Sequence, residues 1–254
     1  MRYAWDQFDQ YFGEARVGKA RSRLLRPVLA WMARWDRETA PRVHRFIANS
    51  SHVAGRIGRY YNRQASVLYP PVDTHFFTPA DADTPGRYFL VVSALVPYKR
   101  IDVAIQAAAL ANVPLRIVGI GPDEARLRAM AGPTVEFLGS VTDAELRTAY
   151  QGAAALVLPA EEDFGIAIVE SLACGRPVVA LGRGGARESI ADSRRGVLVD
   201  AATSEAFAAA FDRVSRTTFD RATLRAAAES FGVERFESQF QEMVTETLAQ
   251  PAAW

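Results

Sequence analysis

An α/β fold with a parallel, doubly wound sheet is the architecture this sequence predicts, and three observations carry it. From Tyr88 onward, strand-like runs alternate with helix-like segments. Runs such as AAALVLP (Ala153 to Pro159) are apolar throughout, as a strand buried on both faces requires. A stretch rich in Pro, Asp, Thr and Gly, Val72 to Arg87, separates these repeats from an earlier βαβ unit and reads as a linker.

The elements follow in order. RFIAN (Arg45 to Asn49) is a short strand, Ser50 the N-cap of a helix through about Tyr61, and ASVLY (Ala65 to Tyr69) a second strand closed by Pro70-Pro71. Beyond the linker come strand YFLVVSA, helix Ile101 to Leu110, strand PLRIVGI, helix Pro122 to Met130, strand TVEFLGS and helix Asp143 to Gln151. Strand AAALVLP, helix Gly165 to Ala173, strand PVVAL and helix Ala186 to Ala191 continue the series. Three Ala-rich helices close it, near Ser204 to Val214, Arg221 to Ser230 and Val233 to Ala249. This divides the chain into 1–72, 73–216 and 217–254, the last packing back on the N-terminal part.

With 254 residues, 49% apolar and 23% charged, the chain has the composition of a soluble globular protein with room for two domains. Its one cysteine, Cys174, lies in the apolar run IVESLACGRPVV and has no partner for a disulfide or a zinc site. A buried thiol and a reducing cytosol are expected. No run of eighteen apolar residues occurs, and no signal-peptide core stands at the N-terminus.

The net charge of +1 conceals a gradient: residues 1–63 hold thirteen Arg/Lys against five acids. Between Arg16 and Arg37, basic residues alternate with Leu24, Leu25, Val28, Leu29, Trp31, Met32 and Trp35 at helical spacing. That pattern suits peripheral contact of residues 16–37 with the inner, anionic face of a membrane. It equally describes a helix packing its apolar stripe on its own domain. Nucleic acid is not an expected partner, because no aromatic-interleaved binding module accompanies the basic segment.

The chemistry concentrates in PAEEDFGIAIVE, Pro159 to Glu170. It places Glu162 and Glu170 eight positions apart around a Phe-Gly turn, at the carboxyl edge of the sheet where open α/β folds bind ligands. A helix starting near Gly165 offers unpaired N–H groups and a positive dipole end to an anion such as a diphosphate. Glu170 lies about 6 Å along the axis from Ile166, the distance from a diphosphate to the ribose of its nucleotide. Glu162, still in the loop, can reach a group attached beyond the diphosphate, for which a sugar is the natural candidate. A glutamate near a helix start also occurs as simple dipole compensation, so the neighbouring loops decide.

After the first strand of the second unit, SALVPYKR brings Lys99 and Arg100 to the same edge. Lys99 could neutralise a diphosphate, with Arg100 assisting or facing elsewhere. Ser140 and Val141, after Gly139, could approach a nucleobase or simply turn into the next helix. Gly182-Arg183-Gly184-Gly185 could line the sugar side or form a plain turn. GIGPDE puts Glu124 where a dinucleotide fingerprint needs its third glycine, which disfavours a nicotinamide enzyme. Asp81-Ala-Asp83 falls in the linker and reads as a solvated loop instead of a metal site. A glycoside hydrolase using Glu162 and Glu170 fits poorly, because such a pair must flank the scissile bond.

Together VVSALVPYKRID, VGIGPDEARL, VEFLGSVTDAEL, the E-x7-E segment and GRGGARESI resemble the donor half of family-4 retaining glycosyltransferases of the GT-B fold. The likeness is strongest to bacterial mannosyltransferase-like members that build surface polysaccharides, and it covers roughly Arg45 to Val199. It implies a complete Rossmann-like C-terminal donor domain beside a partial N-terminal acceptor domain. It further implies Glu162 on the donor sugar and Lys99 on the diphosphate as the catalytic pair. Glu170 would hold the ribose, and the backbone of Phe164, Gly165 and Ile166 the phosphates. The implied reaction moves a mannose-like sugar from GDP or UDP to a glycan or lipid-linked acceptor, with retention, without metal or other cofactor, in the cytoplasm or at the inner membrane face. Charge on the departing diphosphate would be stabilised by Lys99 and the helix terminus at Gly165.

Two departures from the pattern stand out. Where much of the family carries an Arg five residues before the lysine, this chain has Ala94, so Arg100 or Arg183 would have to supply that charge. Only about 72 residues precede the donor unit, too few for a full domain of this kind. MRYAWDQFDQYFG resembles the middle of the acceptor domain, soon after an active-site His that none of His44, His52 or His75 matches. Met1 is therefore expected to be an internal methionine or a truncated start. The alternative function is a non-catalytic nucleotide-sugar-binding remnant or subunit.

Overall fold

The computed structural model of the chain describes Trp5, Phe8, Phe12 and residues 18–81 and 86–249. Most of the MRYAWDQFDQYFG segment, with Asp83 of the Asp-Ala-Asp pair, lies outside the described residues.

The N-terminal unit contains α1 (Lys19–Thr39), a short 3-10 turn (Ala40–Arg42), then β1 (Phe46–Ala48), α2 (Ser51–Tyr61) and β2 (Ala65–Val67). β1 and β2 pair in parallel, Phe46 opposite Ala65, so α2 is their crossover. The Ser50 hydroxyl accepts from the Val53 N–H at 3.1 Å and starts α2 as its N-cap.

The second unit runs β3 (Tyr88–Val92), α3 (Ile101–Ala111), β4 (Leu115–Val118), α4 (Glu124–Met130), β5 (Val135–Gly139), α5 (Asp143–Gly152) and β6 (Ala153–Leu158). It continues through α6 (Ile166–Ala173), β7 (Val178–Leu181), α7 (Ala186–Ser189), β8 (Gly196–Val199), α8 (Ser204–Ser215), α9 (Arg221–Glu229) and α10 (Val233–Ala249). The six strands form one parallel sheet in the order β5-β4-β3-β6-β7-β8. Sequence periodicity found every strand except β8, a four-residue edge strand.

Two apolar layers cover the sheet, one per face, because alternate residues of each strand point opposite ways. Leu90 and Leu156 pack with Tyr150, Ile168 and Leu172 on one face. Phe89, Val91 and Val157 pack with Ile105, Phe207 and Phe211 on the other. The Phe89 and Phe211 rings stack with centroids 4.1 Å apart.

Among its described residues the Val72 to Arg87 segment holds no helix or strand, yet it is anchored. Val72, Thr74 and Phe77 are buried, and the Val72 N–H donates to the Phe231 carbonyl at 2.9 Å. Turn-forming residues dominate the composition there, but a few apolar side chains spaced among them suffice to anchor it. The chain then returns: Arg45 Nη1 donates to the Met243 carbonyl and to Glu246 Oε2 on α10, each at 3.0 Å.

On α1, Leu29 and Ala33 are buried, yet Leu24, Val28, Trp31 and Trp35 are 71%, 48%, 66% and 56% exposed. Their spacing puts these four on one stripe of the helix. Leu25 and Met32 are half-buried beside Leu29, so one stripe of the apolar set packs on the chain itself while the other stays exposed. Among the described residues no helix is long and apolar enough to cross a membrane.

Candidate functional site

β3 and β6 are neighbours, but the chain leaves β3 toward β4 and leaves β6 toward β7. The loops at their carboxyl ends diverge, which makes this the topological switch point where such sheets bind ligands. Lys99 ends a 3-10 turn (Pro97–Lys99) in the first loop, and Glu162 sits in the second. Lys99 Nζ donates to Glu162 Oε1 at 2.6 Å and Oε2 at 2.8 Å, with both side chains largely buried. Two of the sequence-predicted residues, from separate loops, are thus in direct contact.

The Glu162 loop is held on two sides. The Gly185 N–H donates to the Glu162 carbonyl at 2.8 Å. A Cβ on Gly184 would stand 2.1 Å from that carbonyl oxygen, and one on Gly185 would stand 2.4 Å from the Asp163 carbonyl oxygen. Backbone contact this close explains the glycines, which the sequence left open between a ligand wall and a plain turn. Across the loop, His52 Nε2 lies 3.2 Å from Glu161 Oε1, and Arg56 Nη1 donates to Asp163 Oδ1 at 2.9 Å. Glu161 and Asp163 therefore reach α2 while Glu162, between them, meets Lys99. Phe164 is buried, its ring 5.6 Å from that of Tyr69 and 5.5 Å from that of Phe231.

Gly165 turns the chain into α6 with φ 86°, a conformation that favours glycine, and no side chain caps the helix. Its first N–H groups and positive dipole end thus stand beside the Glu162 loop, with Ile166 exposed. In the second turn, Glu170 is half-buried and its Oε2 accepts from Tyr150 Oη at 2.6 Å. Burial holds its carboxyl above the ordinary value, against the lowering influence of the Tyr150 hydrogen bond. Cys174, one turn on, is buried and its thiol is pushed up to about 12 by that burial, so it is an unreactive core residue.

The remaining predicted residues lie at the periphery. Ser140 is exposed and Val141 half-buried in the loop between β5 and α5. Arg100, in the left-handed conformation at φ 54°, donates through Nε to Asp102 Oδ1 at 3.2 Å, outside the Lys99–Glu162 contact. Arg183 is exposed on the glycine loop, and Asp81 is exposed. Among the described residues there is no group of three or more His, Cys, Asp and Glu that could hold a metal ion.

Sequence reasoning missed Glu188. This α7 carboxylate accepts from the Ser51 N–H at 2.8 Å, the His52 N–H at 2.9 Å and the Tyr69 hydroxyl at 2.9 Å. With Ser50 on the Val53 N–H, it satisfies the start of α2 from across the molecule. Burial works against its charge, but the N–H and hydroxyl donors outweigh burial and hold its carboxyl below the ordinary value. The only sequence signal was an acid three residues after a Gly-Gly pair, and its partner lay too far away in the chain to be read.

Comparison with known proteins bears on the family and the fold. A D-inositol 3-phosphate glycosyltransferase of Salinispora arenicola is 30% identical over 84% of this chain and 57% of its own length. One from Frankia alni is 31% identical over 72% of this chain and 53% of its own. The chain thus spans little more than half the length of these relatives. Among solved structures, an Anabaena protein crystallised with UDP and glucose superposes with a TM-score of 0.75 at 23% identity, over 84% of this chain and 66% of that one. A Rickettsia africae glycosyltransferase superposes at 0.72 with 19% identity, over 82% of this chain and 65% of that one. These likenesses give the GT-B glycosyltransferase fold. Residues 74–231, which hold the switch point, Lys99, Glu162, Glu170 and Glu188, match the model of glycosyl transferases group 1, and the chain belongs to that family.

Proposed function

We propose that this chain carries the donor half of a glycosyltransferase and binds a nucleoside diphosphate sugar at the switch point between β3 and β6. The carrying observation is the Lys99–Glu162 contact, 2.6 and 2.8 Å, formed beside the uncapped start of α6. In this reading the Phe164–Ile166 backbone and α6 N-terminus hold the diphosphate, and Lys99 neutralises it. Glu162 accepts hydroxyls of the sugar, Glu170 those of the ribose, and Ser140 and Val141 flank the base. Arg100 joins only by releasing Asp102. The anomeric C–O bond to the diphosphate breaks, the electron pair leaves with the diphosphate, and the oxygen of an acceptor hydroxyl bonds to the anomeric carbon on the same face while its proton passes to the departing diphosphate oxygen. Lys99 and the helix terminus stabilise the leaving charge, with no metal required.

UDP is the first nucleotide to test, since a structural neighbour was crystallised with it; GDP and GDP-mannose follow from the sequence resemblance. The acceptor is a glycan, a lipid-linked glycan or, as in the names of the curated relatives, an inositol phosphate. A thermal-shift series with UDP, GDP, their sugars and NAD should show stabilisation by one nucleoside diphosphate, growing as RT ln(1 + [L]/Kd). Glu170→Ala should reduce the shift, by the equivalent of a loss of about 10-fold in affinity. No shift with any nucleotide sinks the reading; a shift without transfer by this chain favours the non-catalytic binding subunit.

Peripheral membrane contact is part of the same proposal, supported by the exposed Leu24, Val28, Trp31 and Trp35 stripe among arginines. The chain should float with liposomes containing anionic lipid, and a Trp31→Glu, Trp35→Glu double variant should not. Equal recovery of both proteins in the pellet would dismiss it.

A further inference from the structure

Tyr150, from the last turn of α5, is 0% exposed, and its ring meets Phe77 edge-on with centroids 5.9 Å apart. Its hydroxyl donates to Glu170 Oε2 at 2.6 Å. A phenol has a single proton to donate, and here it goes to the carboxylate assigned to the ribose. One carboxylate oxygen is then engaged from within the protein, and the other remains to accept from a ligand.

We propose that Tyr150 is a positioning residue: its hydroxyl fixes the Glu170 carboxylate in one rotamer, with the second oxygen presented to the ribose hydroxyls. This rests on the assignment of Glu170 to the ribose made above. A general argument and one further feature agree with it. A carboxylate on α6 without this restraint must be ordered by the ligand itself, which lowers affinity. Burial pushes the Tyr150 hydroxyl well above its ordinary value, followed by the charge of Glu170, so it stays protonated and a donor.

The surrounding charges are mixed. Asp143, at the start of α5, raises Glu170, while the Tyr150 hydrogen bond lowers it. Cys174 feels Glu170 together with Arg147 on α5, Arg225 on α9 and Arg176. Removing the hydroxyl therefore leaves burial and Asp143 to protonate Glu170 at a higher pH.

Tyr150→Phe keeps the ring and deletes only the donor. Calorimetric titration with the nucleoside diphosphate that stabilises the wild type, and with its 2′-deoxy form, tests the inference. The wild type should prefer the ribo form by about 10-fold, the worth of a hydrogen bond to a charged group. In Tyr150→Phe the preference should fall below about 3-fold, with deoxynucleotide affinity nearly unchanged. On acidification, ribonucleotide binding should fail at higher pH in the variant than in the wild type. In a Glu170→Gln background the Phe substitution should change nothing further.

Unchanged ribose preference in Tyr150→Phe overturns the inference while leaving the Glu170 assignment intact. Equal loss of both nucleotides, or a variant that does not fold, also overturns it, because the hydroxyl would then serve the fold. A wild type that binds ribo and deoxy forms equally removes Glu170 from the ribose, and this inference with it.

Discussion

A Lys99→Ala chain should lose about 10- to 100-fold in affinity for a nucleoside diphosphate, the worth of one charge-assisted contact of about 1.5–3 kcal/mol. Affinity for the parent nucleoside should be nearly unchanged, because the proposed role of Lys99 is on the phosphates and not on the base or ribose. The ammonium already lies 2.6 and 2.8 Å from the two Glu162 oxygens. Removing it has a second consequence, since it strands a largely buried carboxylate in the loop proposed to receive the sugar. The sugar nucleotide should therefore suffer at least as much as the bare diphosphate. Where the complete enzyme is assayed, turnover should drop about 100- to 1000-fold through lost stabilisation of the leaving group. Titration calorimetry with nucleoside, nucleoside diphosphate and sugar nucleotide separates these effects. A uniform loss for all three would place Lys99 in the structure and not in the site.

Glu188→Ala should destabilise the fold by about 2 kcal/mol, because two N–H groups at the start of α2 and the Tyr69 hydroxyl lose their acceptor together. For a chain of this size the melting temperature should fall by about 5 °C. The effect carries a pH signature. The folded-state pKa of Glu188 lies below its ordinary value of 4.5, so its contribution is present above that pH and disappears as the pH falls through the folded value. Melting curves of wild type and variant should differ fully at pH 7 and converge in acid. Ser50→Ala, which removes the uncharged cap on the Val53 N–H, should cost about 1 kcal/mol without that convergence. A Glu188→Ala deficit that persists unchanged in acid would show that the loss is one of packing. His52 and Arg56 lie on the helix that Glu188 anchors, so Glu188→Ala also loosens their grip on Glu161 and Asp163.

Elements with a strong local signal were readable in advance. The apolar run Ala153 to Leu158 became β6, and the Ser50 cap and the Gly165 turn stand where helix-start chemistry puts them. Lys99 and Glu162 were readable too, because a loop after a buried parallel strand must emerge at the carboxyl edge. β8 escaped notice because Gly196 to Val199 is short, begins with glycine and follows two arginines. Burial of Val72 and Phe77 within the linker was not readable, because composition averages over side chains, whereas burial acts on each one. Tyr150 looked like any core aromatic, and no periodicity reveals where a buried hydroxyl points.

From the sequence alone came the α/β class, the order of strands and helices, and the two acids and the lysine at the edge of the sheet. Those depend on interactions within a few residues, which the chain carries wherever it is placed. The tertiary structure alone decided the partners. Lys99 and Glu162 are 63 residues apart, Glu188 and Ser51 137, and Tyr150 and Glu170 20. It also decided which face of α1 stays uncovered. Such pairings depend on strand order and on how each helix is rotated against the sheet, which are set by packing of the whole core and not by any local stretch.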